Sequence, residues 1–91
     1  MNKNTTKKSI VKDLETVTDI NGCKGLLRAI KSQEKENNKI IARNARLIGT
    51  LDDDEEDFKE DLKNSTEIRE NWNIGLGVAR ELVFNKMDDL L

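Results

Sequence analysis

Apolar side chains recur at alternating three- and four-residue steps along two long stretches of this chain, and the steps break once between them. Upstream, Ile20, Cys23, Leu27, Ile30, Glu34, Asn37, Ile41, Asn44, Ile48 and Leu51 trace a heptad. The ends of that trace are apolar and its middle is polar; residues 31–39 hold no apolar side chain. Downstream, Phe58, Leu62, Trp72, Leu76, Ala79, Val83 and Leu90 fall on one stripe, with Ser65 and Arg69 in its middle. The break between them reads Leu47-Ile48-Gly49-Thr50-Leu51, followed by the acidic run Asp52 to Asp57. Gly49 suits the left-handed residue that ends a helix, Thr50 suits the N-cap of the next, and acids favour the positive end of a helix dipole.

These signals predict an all-α chain folded as an antiparallel helical hairpin, with long helices over about 20–48 and 51–90 meeting at Gly49-Thr50. A short helix is expected over about 7–16, a corner over 16–25 where Gly22 and Gly25 sit, and a flexible stretch over 1–5. Two places invite a break in the second long helix: 64–66, where Asn64 and Glu67 imitate a capping box, and 75–77, where Gly75 and Gly77 weaken the helix. A fold at 49–50 sets side by side residues whose numbers add to about 99. The polar run 31–39 then faces 60–68, and Lys31, Lys35 and Lys39 come opposite Glu60, Asp61 and Glu67. Leu27, Ile30, Ile41, Ile48, Phe58, Leu62, Trp72 and Leu76 form the expected seam. A lone hairpin buries one stripe per helix, against an ordering cost of about 1–2 kcal/mol per residue for the backbone alone. A homodimer forming a helix bundle is therefore expected, with packing of the short N-terminal helix onto the C-terminal end as the monomeric alternative.

Composition sharpens this picture. Charged residues make up 37% and aromatics 3%, and proline is absent, a balance suited to long solvated helices in a single domain. Charge divides at the hairpin. Residues 1–50 carry eleven Lys/Arg against five acids, a net of +6; residues 51–91 carry five against thirteen, a net of −8. Such asymmetry points to segments that pair with each other or to a charged partner. The longest apolar runs are three residues, far short of a membrane span, and the single cysteine, Cys23, fits a reducing compartment. A cytoplasmic, membrane-free location is expected. Abundant Asn and Lys hint at an AT-rich source such as a phage or plasmid.

Histidine and tyrosine are absent, which removes the usual neutral-pH base, the common zinc ligand and every Ser-His or Cys-His pair. No catalytic, cofactor-binding or metal-ligating set emerges. A calcium loop starting at Asp52 would need glycine at its sixth position and Glu at its twelfth, where Asp57 and Lys63 stand. The pair Glu67 and Glu70 lacks the second downstream carboxylate pair that magnesium chemistry would use, because Phe84 follows Glu81 at that spacing. The expected function is a non-enzymatic regulator or inhibitor of phage or mobile-element type. It would bind a host protein through the acidic face Asp52, Asp53, Asp54, Glu56, Asp57, Glu60 and Asp61. The alternatives are a nucleic-acid-binding regulator using Lys7, Lys8, Lys12, Lys24, Arg28 and Lys31, or an oligomeric assembly scaffold.

Overall fold

The computed structural model describes residues 4–91, which form helices joined by short turns with no strand among them. The elements are α1 (Lys7–Leu14), α2 (Ile20–Ile48), a 3₁₀ turn (Asp53–Glu55) and α3 (Glu56–Leu90). A helix of 35 residues is about 52 Å long at 1.5 Å per residue, so α3 alone spans most of the 57 Å long axis. No helix among the described residues is long and apolar enough to cross a membrane.

Each start has a local cause. Thr6 and Ser9 cap α1 reciprocally: the Ser9 N–H donates to Thr6 Oγ1 at 3.1 Å, and the Thr6 N–H donates to Ser9 Oγ at 2.9 Å. Asp19 caps α2, its Oδ1 accepting from the Gly22 N–H at 2.7 Å. Gly22 gives room to Val17: a Cβ there would stand 2.9 Å from Val17 Cγ1, and that side chain would have to shift. Thr5, expected to be flexible, is instead tied down. Its N–H donates to Gln33 Oε1 at 3.0 Å and its carbonyl accepts from Trp72 Nε1 at 2.7 Å. The rest of that expected flexible stretch, residues 1–3, lies outside the described residues.

The hairpin turn is longer than the sequence suggests. Gly49 ends α2 with φ −65°, an ordinary right-handed conformation and not the left-handed one expected. Thr50 does not start α3. Its hydroxyl donates back to the Leu47 carbonyl at 2.7 Å and so closes the end of α2. The next start belongs to Asp52, whose backbone N–H donates to Glu55 Oε1 at 3.2 Å. α3 then runs unbroken through both 64–66 and 75–77.

The longer turn moves the register. Asn37 bonds Asn73, and Asn44 bonds Thr66, so the numbers of paired residues add to 110 rather than 99. Eleven residues are about three helical turns, or roughly 16 Å. The same faces still meet, but different layers do. Lys31, Lys35 and Lys39 therefore do not oppose Glu60, Asp61 and Glu67. They line an open groove with Glu34 and Asn38, two residues that bond across to Arg80 and Asn73 of α3. The interhelical ion pair among the described residues joins Arg80 of α3 to Glu34 of α2.

α1 lies beside the base half of the hairpin, parallel to α3. The Gly75 position faces Lys7, and Val11 and Leu14 border Leu82 and Asp89. Three helices enclose the core here: Ile10, Cys23, Ile30, Leu76, Ala79 and Val83 are buried, with Leu27, Trp72, Met87 and Leu90 packed against them. The tip half is only two helices thick. Ile41, Ile48 and Leu62 are half-buried there, and Phe58, expected in the seam, is 62% exposed. The longer turn explains Phe58, because the shifted register carries it past the end of α2.

Candidate interaction surface

The residues that hold this surface in place are polar. Asn37 and Asn44 are fully buried on α2, at seam positions where apolar residues are the rule. Asn37 Oδ1 accepts from Gln33 Nε2 at 3.0 Å and from the Arg69 guanidinium at 2.9 Å, while its Nδ2 donates to Asn73 Oδ1 at 2.8 Å. Asn73 in turn donates to Asn38 Oδ1 at 3.0 Å. The Arg69 guanidinium also sits 4.9 Å from the centre of the Trp72 ring, a cation–π contact. One layer toward the tip, Asn44 Nδ2 donates to Thr66 Oγ1 at 3.2 Å and its Oδ1 accepts from Arg43 at 3.2 Å. No buried side-chain nitrogen or oxygen among the described residues lacks a partner. Sliding α3 by one turn would orphan these groups, so they fix the register as buried Asn does in coiled coils. Asn37 and Asn44 were legible as seam polars. Their partners Asn73, Thr66 and Arg69 were not, because the assumed turn placed them against other layers.

That register pushes the acidic run out to the tip. Asp52, Asp53, Asp54, Glu56, Asp57, Glu60 and Asp61 are all exposed. Lys59 Nζ lies 3.7 Å from both Asp53 and Glu56. Asp52, Asp54, Asp57, Glu60 and Asp61 make no ion pair among the described residues. Carboxylate oxygens of Asp52, Asp54 and Glu55 come within 4.8 Å of one another. The helix start offsets that repulsion, through its dipole and through the Asp52 N–H bonded to Glu55. Phe58, next to Asp57 in the same run, is also exposed.

The cationic residues fall into two sets. Lys7, Lys8 and Lys12 are exposed on α1. Lys24, Arg28 and Lys31 are exposed on α2. At 100° per residue they point away from Gln33, the α2 residue that bonds the α1 arm. The six cations proposed for nucleic-acid contact therefore do not share one face. A feature that sequence reading missed is the outer stripe of α3: Ile74, Val78 and Leu82, four residues apart, are 68%, 44% and 37% exposed. The i, i+4, i+8 spacing off the seam was the available signal. Comparison with protein-family models, with curated proteins and with solved structures gave no match.

Proposed function

We propose that this chain is a non-catalytic interaction module of the cytoplasm that docks on a basic surface of a host protein. Its role would be that of a small regulator or inhibitor carried by a phage or mobile element. The observation that carries this reading is the tip itself: five exposed carboxylates without ion-pair partners among the described residues lie in the turn and the first helical turns together with an exposed phenylalanine. Unpaired surface charge of one sign steers a partner of the other sign, and an aromatic inside it supplies the anchor that interface energetics favours. Replacing Asp53, Asp54 and Glu56 together with alanine is expected to weaken capture of the host partner by about tenfold or more, with most of the loss in association rate. Binding kinetics against the captured partner at low and high salt measure this. Unchanged affinity would count against the acidic face. Tight, steeply salt-dependent nucleic-acid binding lost on Lys7→Glu with Lys8→Glu would replace the reading with the nucleic-acid one.

The same proposal makes the working form a homodimer, through the outer stripe of α3. Ile74 and Val78 expose an apolar ladder that continues to Leu82 at the edge of α1, and a two-fold axis can set one such ladder against its copy. Native mass is expected at twice 10.4 kDa for the parent and at 10.4 kDa for Val78→Glu. A parent that sediments as a monomer at high concentration would contradict it.

A further inference from the structure

We propose that the two-helix half of the hairpin holds an open docking lane for one basic amphipathic helix from the partner. α1 shows what the lane accepts. It is itself a short basic amphipathic helix, with Ile10 buried and Lys7, Lys8 and Lys12 exposed. Lys7 of α1 faces Gly75 on α3, and the arm just ahead of α1 bonds through Thr5 to Gln33 on α2 and Trp72 on α3. Each step of seven residues turns a helix face by only about 20°, so two steps stay within about 40°. From Gln33 they lead to Ile40 and Leu47, from Gly75 to Ile68 and Asp61, and from Trp72 to Ser65 and Phe58.

The lane past the start of α1 therefore has Ile40 and Leu47 on one wall and Ile68 and Phe58 on the other. Leu47, Phe58 and Ile68 are 42%, 62% and 63% exposed. Fourteen residues from Gln33 to Leu47 make it about 21 Å long, room for a helix of about four turns. Its α3 rim carries Asp57 and Asp61, four residues apart, and neither has an ion-pair partner among the described residues. An apolar floor whose α3 rim is acidic, while its α2 rim carries Glu36 and Arg43, selects a helix with an apolar stripe and lysines or arginines on the side that meets α3. A second copy of this chain fits less well, since its own basic amphipathic helix, α1, is already seated.

This inference rests on the interaction reading above and narrows it to one groove and one partner element. The test uses the full chain and two synthetic helical peptides of about four turns, each with a leucine stripe, one flanked by lysines and one by glutamates. Titrations followed by amide NMR are expected to shift Ile40, Leu47, Phe58 and Ile68. Affinity for the lysine peptide is expected to exceed that for the glutamate peptide by about tenfold, a preference reversed in the Asp57→Lys, Asp61→Lys double variant. Ile68→Asp, at an exposed position, is expected to abolish both the shifts and host-partner binding; circular dichroism confirms its fold, and the charge-reversal variant provides the readout if it unfolds. Equal affinities, shifts confined to other faces, or a parent dimer dissolved by Leu47→Asp would overturn the lane. Partner binding lost on changing Asp53, Asp54 and Glu56 but kept in Ile68→Asp would overturn the lane and leave the acidic tip standing. Partner binding unaffected by either would remove both.

Discussion

Asn37→Ala is expected to lower the unfolding free energy by about 3 kcal/mol, an effect out of proportion to one amide. Its side chain is fully buried and serves three partners on two helices. Truncation leaves Gln33 Nε2, Asn73 Oδ1 and one Arg69 donor without their bonds. Each unsatisfied buried group costs about 1–3 kcal/mol, partly recovered where water reaches the site. For a domain of this size a loss of about 3 kcal/mol lowers Tm by roughly 12–24 °C. Asn38→Ala is the control, since Asn38 is exposed and accepts a single bond from Asn73. Its expected cost is under about 1 kcal/mol. Thermal and denaturant unfolding of the two variants beside the parent measure the contrast. Equal, small losses would mean that the amide network does not hold the hairpin.

Trp72→Ala carries the second large effect. The ring packs on the base core and lies against the Arg69 guanidinium, and its Nε1–H donates to the Thr5 carbonyl just ahead of α1. Removing a large aromatic from such a site costs about 3–5 kcal/mol. Much of the marginal stability of a domain this size, about 5–14 kcal/mol at 0.05–0.15 per residue, would go with it. The loss should also be local in character. α1 is eight residues long, too short to persist alone, so its order depends on the arm that Trp72 anchors. Amide exchange in α1 is expected to rise toward unprotected rates while the centres of α2 and α3 stay protected. Trp72→Phe keeps an aromatic ring but loses the bond to Thr5 and the packing of the second indole ring, at an expected cost of about 2 kcal/mol. Protection of α1 unchanged in Trp72→Ala would show that the helix is held by Ile10 and its neighbours without the arm.

The helical class and the faces that meet were legible in the heptad steps; the register was not. The reason lies in two competing start signals placed two residues apart. Thr50 offers an N-cap, and Asp52 with Glu55 three residues on offers a capping box. The box prevails, because Thr50 is already bonded to Leu47. The resulting offset of eleven residues is close to three whole turns, so apolar stripes matched apolar stripes in either register. Charge matching could not arbitrate: it favoured lysines against acids across the waist, whereas amides meet there. The capping-box signature at Asn64 and Glu67 failed for a tertiary reason, since Thr66 accepts from Asn44 and the Leu62 carbonyl faces the same amide inside a continuous helix. On the candidate surface, the acids were plain from sequence. The exposure of Phe58, the open lane beside Ile68 and the outer ladder at Val78 depend on where α1 stops and on how far α3 slides.

The stagger of α3 along α2 decides all of these surfaces, and one NMR measurement reads it directly. Nuclear Overhauser contacts from the Asn37 side-chain amide protons are expected to reach Asn73 and Arg69, with those of Asn44 reaching Thr66. Contacts from the Asn37 amide to Leu62 and its neighbours, the layer that a tight turn at Gly49 would bring alongside, would contradict the account.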